Sequence, residues 1–311
     1  MAEWYTGPVW TVSFDNTGEE YAFGDEGAAE WFCRCRTVHR MVYGSKPADG
    51  GNLFMTPEER DAVLKKEPGL EKFIRRVYGS KEFIQGIERY CFWLVDASPA
   101  DIKRSKILHE RVKRVKEFRL ASTDEGTRKS AETPHLFQGH RQPTTNYLLI
   151  PCHSSKERMY VPMGYVSPDV IVTNAAFSLP NATPYHFGVL TSSAHMSWMR
   201  RVCGRLRVDY RYSSTIVYNT FIWPMSSPLQ TRKIELTGQA ILDARAKHPE
   251  CTFADLYDEV SMPQDLRRAH QENDAAVIEA YGWPKGISEE DIAAELFTLY
   301  GKELEKKNAG R

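Results

Sequence analysis

The chain has 311 residues, and its 41 Lys/Arg and 41 Asp/Glu give a formal net charge of zero at pH 7. Its apolar and charged fractions are typical of a soluble globular protein. No apolar run approaches the roughly 20 residues of a membrane span, and the start Met-Ala-Glu-Trp lacks a signal-peptide pattern. Six cysteines in a chain of this length do not suggest a disulfide framework, so we expect a reducing cytoplasm.

The charges are unevenly spread along a chain long enough for two domains. Residues 232–311 contain 11 Lys/Arg and 16 Asp/Glu, whereas residues 1–231 contain 30 and 25. The last quarter is therefore acidic, and the mild basic excess before it is weak evidence for a nucleic-acid partner.

The first 66 residues combine short elements with a long turn. Val9–Phe14 is strand-like, and Glu26–Tyr43 is a candidate helix that stops at a glycine. Gly44–Asn52 has turn chemistry throughout, which suits either phosphate or base contacts or an ordinary surface turn. Thr56-Pro57-Glu58-Glu59 predicts the start of a helix that runs to about Lys66.

A buried-type strand at Arg89–Leu94 precedes the most basic segment of the chain. This segment predicts one helix from Asp101 to about Ala121, with a core side and a basic side that includes Lys113 and Arg114. The basic side is either a solvated face or a phosphate-contacting one.

The middle of the chain predicts an antiparallel meander from the strand-like runs Asn146–Pro151, Arg158–Met163 and Val170–Leu179. No Lys, Arg, Asp or Glu occurs from Val170 to Met199, which indicates a core of sheet followed by helix. Further predictions are a strand at Ile216–Trp223 and helices at Arg232–Lys247, Pro263–Tyr281 and Ser288–Lys307.

Arg205–Tyr212 alternates strictly between charged and apolar residues, which predicts a single strand. Its charged face would hold Arg205, Arg207, Asp209 and Arg211, and its apolar face would hold Leu206, Val208, Tyr210 and Tyr212. Residues 207 and 209 would be roughly 7 Å apart, about the reach needed to touch both bases of one pair. The alternative is a solvated strand face.

Several common catalytic motifs are missing from the sequence. Gly-x-Gly, the P-loop, Gly-x-Ser-x-Gly and His-Glu-x-x-His do not occur, and no two prolines are adjacent. Cys33, Cys35 and His39 have an unusual spacing for zinc, so buried thiols and a surface histidine are favoured. His195 on an apolar helix is favoured as a core residue over a general base. We therefore expect a recognition module with no catalytic residue and no metal site.

Long motifs link this chain to a known family. These motifs include KPADGGNL at 46–53, RYCFWLVDASP at 89–99, GYVSPDVIVTNAA at 164–176, CGRLRVDYRYS at 203–213 and VYNTFIWP at 217–224. In these residues, and in nearly all of 44–300, the chain resembles the C-terminal half of MmeI-like (type IIL) DNA methyltransferases and restriction-modification enzymes.

The resemblance implies an α+β fold, in which a mixed helix and antiparallel-sheet target recognition domain precedes a small all-helical domain. These would be residues 44–231 and 232–311, with residues 1–43 connecting to an absent upstream methyltransferase domain. The starting methionine would then belong to an expressed fragment or to a split or truncated gene. The chain would bind no cofactor itself, and S-adenosylmethionine would bind the upstream domain.

The resemblance also implies which side chains meet duplex DNA. Arg207 and Asp209 match one pair of base-reading positions, and Asn174 and Cys152 match another. Cys152 departs from the charged or amide residue expected there. Arg211 and Lys46 match further positions near the DNA.

The leading interpretation is sequence-specific recognition of double-stranded DNA for an adenine-N6 methyltransferase of the restriction-modification type. The methyltransferase would be in cis or a separate chain, in the cytoplasm of a prokaryote and associated with the nucleoid. A second hypothesis is a non-enzymatic specificity subunit that docks on a separate methyltransferase through its acidic tail. A third is an independent enzyme using His195 or the Cys33, Cys35 and His39 set.

Overall fold

A computed structural model of the chain describes the backbone of residues 2–5, 10–14, 20–23 and 39–309, and the side chains of residues 39–306. The first three strands, β1 (Ala2–Tyr5), β2 (Trp10–Phe14) and β3 (Glu20–Phe23), form an antiparallel sheet in that order. The predicted strand at Val9–Phe14 is thus confirmed from Trp10 onward. Most of the predicted helix at Glu26–Tyr43 lies outside the described residues.

The elements that follow alternate between short strands and helices. The strands are β4 (Val42–Tyr43), β5 (Phe54–Met55), β6 (Ile74–Tyr78), β7 (Tyr90–Phe92), β8 (Tyr147–Pro151), β9 (His153–Ser154), β10 (Gly164–Val166), β11 (Ile171–Val172), β12 (Ala176–Pro180), β13 (Gly204–Leu206) and β14 (Asp209–Arg211). The helices are α1 (Pro57–Lys66), α2 (Ser80–Gln85), α3 (Pro99–Arg104), α4 (Lys106–Leu120), α5 (Glu125–Lys129), α6 (Pro184–Leu190), α7 (Ser193–Val202), α8 (Pro228–Ala246), α9 (Phe253–Leu256), α10 (Gln264–Ala280) and α11 (Glu289–Ala309).

Two four-stranded sheets form the middle of the molecule. One is antiparallel in the order β10-β8-β12-β4, and the other has the order β11-β6-β7-β5 with a single parallel pair, β11 and β6. The predicted strand at Val170–Leu179 is in fact β11 and β12 joined by a turn at residues 173–175. That turn carries the chain from one sheet to the other and therefore lies where they meet.

Two other predicted strands are wrong, and each has a local reason. Arg158–Met163 is irregular because Pro162 offers no ladder donor and the Val161 N–H donates to the sulfur of Met196 at 3.4 Å. In the predicted strand Ile216–Trp223, the first residues belong instead to a π-helical turn at Ser214–Tyr218. The Ser213 hydroxyl caps the start of this turn.

The helix ends follow the capping chemistry in the sequence. The Thr56 hydroxyl accepts from the Glu59 N–H, and the Glu59 carboxylate accepts from the Thr56 N–H, so α1 begins where predicted. The predicted long helix from Asp101 to Ala121 is broken into α3 and α4. The break is at Ser105, which adopts an extended backbone and caps α4 through its hydroxyl.

The C-terminal helices share one hydrophobic core with the antiparallel sheet, α6 and α7. α8 packs closely on α6 because glycines lie at the contact. A Cβ at Gly238 would stand 2.6 Å from the carbonyl oxygen of Pro184, and one at Gly188 would stand 2.9 Å from that of Ile234. The three predicted C-terminal helices are confirmed as α8, α10 and α11.

The architecture confirms the predicted α+β class, with mixed helix and antiparallel sheet followed by a helical region. Within the described residues, no helix is long and apolar enough to cross a lipid bilayer.

A chain of polar contacts crosses the interface between α10 and the segment before β10. Asp274 of α10 accepts hydrogen bonds from the Tyr160 hydroxyl at 2.6 Å and the Ser193 N–H at 2.7 Å. The Tyr160 ring stacks on His270 at 4.1 Å. Burial raises the pKa of Asp274 to about 6, and the Tyr160 hydrogen bond limits that rise.

The raised pKa of Asp274 predicts a specific pH dependence. Because the folded carboxyl binds its proton more tightly than the unfolded one, its contribution is favourable at low pH and is lost as pH rises through about 6. Asp274→Asn should therefore gain stability relative to the unsubstituted chain between pH 4.5 and 7.5 in urea unfolding. In Tyr160→Phe, the pH at which this stability difference develops should move upward, because the hydrogen bond that limits the pKa of Asp274 is lost. A stability difference that is independent of pH would contradict the raised pKa of Asp274.

Candidate nucleic-acid interface

The segment Gly204–Arg211 is a β-hairpin and not the single strand that its alternation predicts. β13 and β14 pair antiparallel, with Leu206 opposite Asp209 and Arg205 opposite Tyr210. Arg207 and Val208 form the two-residue turn, and Arg207 has the left-handed φ of 56°. The pattern of charged and apolar residues could not reveal this turn, because the turn contains neither Gly nor Asn.

The hairpin changes which side chains share a face. Tyr210 is buried as predicted, as is Tyr212 just beyond β14, but Leu206 and Val208 are 53% and 61% exposed. Arg205 lies on the face of Tyr210, with its guanidinium 4.2 Å from the ring centre, so its predicted place beside the other charges is wrong. The opposite face of the hairpin presents Asp209 and Arg211.

The proposed base readers on the hairpin have different surroundings. Arg207 is exposed, with no hydrogen bond or ion pair to any side chain that the structure describes. Asp209 is half-buried, and one of its carboxylate oxygens accepts from the Lys156 N–H at 3.3 Å. The hairpin tip therefore presents the cation of Arg207, with the acid of Asp209 directly beside the turn.

The turn between β11 and β12 meets the loop that begins at Gly44. Asn174 is exposed in this turn, and its N–H donates to the carbonyl of Ser45 at 3.0 Å. Lys46, which follows Ser45 in the chain, is exposed and exchanges backbone hydrogen bonds with Gly139. The structure thus brings the side chains of Asn174 and Lys46 to one edge. Asp49 of the same loop is buried and accepts from the Leu53 N–H at 2.7 Å, so its role is structural.

Cys152 lies beneath this surface and not on it. Its side chain is 1% exposed, its thiol donates to the carbonyl oxygen of Asn174 at 4.0 Å, and burial raises its pKa to about 12. Tyr43 and Arg211 lie near this thiol, and both oppose the rise in its pKa. A direct base contact by Cys152 is therefore not supported, and this thiol instead supports the backbone of Asn174.

The predicted phosphate-contacting helix is only partly available as α4. Arg119, at 0% exposure, donates to five carbonyl oxygens, those of Pro47, Ala48, Ser130, Thr133 and Leu136, at 2.6–3.1 Å. Arg111 donates to the carbonyls of Asn52 and Phe54 at 2.8 and 2.9 Å. These two arginines fasten the 47–54 loop, whereas Lys113 and Arg114 are exposed and pair along the helix with Glu117 and Glu110.

The anchoring role of Arg119 had a signal in the sequence. It lies at helical spacing from Leu108 and Val115, the other buried residues of α4. Burial lowers the pKa of Arg119 and the nearby Asp49 opposes that shift, which is consistent with a guanidinium held inside the molecule.

The other candidate catalytic or metal residues are buried, lie apart from one another or fall outside the described residues. His195 is fully buried, its Nε2 lies 2.9 Å from the Tyr212 hydroxyl, and burial lowers its pKa to about 3. This is the predicted core position, although its Nδ1 has no partner among the residues the structure describes. Cys33 and Cys35 lie outside the described residues, and the His39 ring lies 5.0 Å from that of His186, tilted by 40°. In the described part of the chain, no three potential ligands cluster as a metal site would require.

Comparison with known proteins matches this architecture to one family. The family model for the target recognition domain of MmeI matches residues 33–225, and the one for the C-terminal domain of MmeI matches residues 226–307. The chain belongs to the MmeI family.

Relatives of known sequence or structure agree with this assignment. The solved structure of the type IIL restriction-modification enzyme MmeI in complex with DNA is 43% identical, with a TM-score of 0.84, over 86% of this chain and 36% of that one. DNA methyltransferase A of Bacillus subtilis (strain 168) is 37% identical over 267 residues, 86% of this chain and 30% of its own length. The chain thus spans about a third of the length of each of these two relatives.

The position of Arg119 predicts a large loss of stability on substitution. Arg119→Met should lower the free energy of unfolding by about 4 kcal/mol, because several buried carbonyls would lose their donor. Urea unfolding measures this loss.

The matched control is the exposed Arg114→Met on the same helix, which should change stability by at most about 0.5 kcal/mol. Similar unfolding curves for the two variants would contradict the anchoring role of Arg119.

Proposed function

We propose that residues 44–231 form a target recognition domain that reads sequence in duplex DNA, with residues 232–311 as a helical domain packed behind it. The observation that carries this proposal is the meeting of the hairpin, the 173–175 turn and the 44–52 loop on one surface in a chain of the MmeI family. This surface presents exposed donors, while the side chains beneath it are buried.

The contacts between these elements support a single reading surface. The Cys152 carbonyl accepts from the Tyr212 N–H at 2.8 Å, and the Cys152 N–H donates to Ala175 at 3.2 Å. The segment from Cys152 into β9 therefore fixes the end of the hairpin next to the 173–175 turn. The Asn174 carbonyl contacts the buried Cys152 thiol and Arg211 lies near it, so both residues belong to the surface above Cys152.

The side chains on this surface have the hydrogen-bonding groups that base edges require. Arg207 suits the O6 and N7 acceptors of guanine, and Asp209 suits the N4 donor of cytosine, so together they would read one G·C pair. Asn174 suits N6 and N7 of adenine. Each good contact contributes about 1–3 kcal/mol of discrimination. Arg211, Lys46, Lys113 and Arg114 would supply contacts that position the duplex.

The chemistry of the parent enzyme would occur outside this chain. The sequence lacks a Gly-x-Gly loop and adjacent prolines, so its residues do not fit S-adenosylmethionine in the common way. We assign that cofactor to an adenine-N6 methyltransferase domain, upstream in cis or on a separate chain. One adenine of the recognised duplex would be flipped out into that domain. The reaction would take place in the cytoplasm of a prokaryote, at its nucleoid.

A binding-site selection with the 311-residue chain tests this proposal. Random duplexes selected at low salt should converge on one sequence that contains a G·C pair. Folded protein that enriches no sequence would contradict autonomous recognition.

Exchange of the two hairpin readers makes a sharper prediction. Arg207→Asp with Asp209→Arg should invert one G·C pair of the selected sequence, because donor and acceptor change places. The turn should tolerate the exchange, since Asp adopts a positive φ more readily than Arg. Repeating the selection with the double variant measures the change.

Arg205→Gln is the matched control, since it removes a charge from the same hairpin on the face packed over Tyr210. It should leave the selected sequence unaltered. An unaltered sequence in the double variant as well would refute the reading roles of Arg207 and Asp209.

A further inference from the structure

A groove of about 500 Å³ lies between α2, β9 and the hairpin. Its lining includes Lys81 and Glu82 of α2, Ser154 and Arg158, and Asp209 with Ala175. Since Ala175 directly follows Asn174, the groove occupies the space between two of the proposed base readers. Anything bound there would lie against the DNA-reading surface.

Donors in this groove lack partners within the described part of the chain. The Ser154 side chain is 5% exposed, and its hydroxyl makes no hydrogen bond. The Nε of Arg158 is also buried without a partner. Folded proteins rarely leave buried polar atoms unpaired, so such atoms at a groove indicate a missing acceptor.

The charges around the groove favour an anion. Lys81 and Arg158 form no ion pair with any side chain that the structure describes. Glu82 is already engaged by Arg89 at 2.9 Å and by the Gly79 N–H at 3.1 Å. One oxygen of Asp209 is engaged by the Lys156 N–H. Asp209 and Asp258 attract Arg158 without forming an ion pair with it, so both cations keep donors that an anion can accept from.

We propose that this groove binds one phosphate of the DNA backbone. Arg158 and Lys81 supply the positive charge, and the Ser154 hydroxyl donates an additional hydrogen bond. The site deepens the proposed function and rests on it, because it fixes the register of the duplex between Asp209 and Asn174. It also supplies a phosphate contact that Arg111 and Arg119 of α4 do not offer, because those two side chains donate to backbone carbonyls.

The salt dependence of DNA binding tests this site. Affinities of the full chain are measured by fluorescence anisotropy at several salt concentrations, on the selected duplex and an unrelated one. Arg158→Gln combined with Lys81→Gln should reduce the slope of log affinity against log salt by about 0.9, the value for one lost phosphate contact. Each single variant should reduce it by less, because the two cations share that phosphate. Both duplexes should weaken by the same factor, because a phosphate carries no sequence information.

Arg158→Lys should restore most of the slope, since it keeps the charge. Lys285→Gln, the same charge loss on an exposed loop residue after α10, should leave the slope unchanged. Thermal unfolding shows whether Arg158→Gln is folded. If it is not, the salt dependence of the exposed Lys81→Gln variant tests the site instead.

The outcomes separate this proposal from the one on which it rests. If the unsubstituted chain binds neither duplex, the proposed function itself fails. If that chain binds but folded variants keep its slope, the phosphate site alone is overturned. A changed ratio of affinities between the two duplexes also overturns it, because that would be a base contact.

Discussion

The buried guanidinium of Arg119 is the contact on which the rest of the surface depends. It joins the 47–48 backbone to carbonyls between residues 130 and 136, in segments that contain no long helix or strand. Regular elements satisfy their own backbone groups, whereas irregular loops need other partners. Arg119 supplies five such bonds from one side chain and thereby holds the loop next to the 173–175 turn.

The proposed readers and their support are divided between exposed turns and buried positions. Arg207 and Asn174 stand on exposed turns, whereas Tyr210, Tyr212 and Cys152 below them are almost completely buried. Exposed side chains contribute little to stability, so substitutions at the turns cost little. If these residues read DNA as proposed, this division would allow the recognised sequence to change while the scaffold is retained.

The sequence predicted elements whose signals are local. The capping residues at Thr56 predicted α1, the apolar run at Asn146–Pro151 predicted β8, and the spacing of apolar residues predicted the C-terminal helices. Their residues are satisfied by neighbours in the chain, so a local pattern suffices. The family resemblance added the target recognition domain and the helical domain.

Features that depend on distant contacts could not be predicted in this way. A strict alternation fits one strand as well as two strands with an alternating turn, and it does not predict that β14 pairs with both β13 and β9. The surroundings of Cys152 likewise include Tyr43, which is more than a hundred residues away in the chain. The groove at Arg158 joins three segments that no spacing rule connects.

The central claim is that the hairpin tip lies in the major groove of the recognised duplex. Photocrosslinking from 5-iodouracil tests it directly, because the iodine occupies the major-groove position of the thymine methyl group. With this base placed at each thymine of the selected site, crosslinked peptides should contain residues 204–211. Crosslinks confined to α4 or to the C-terminal helices would contradict the account.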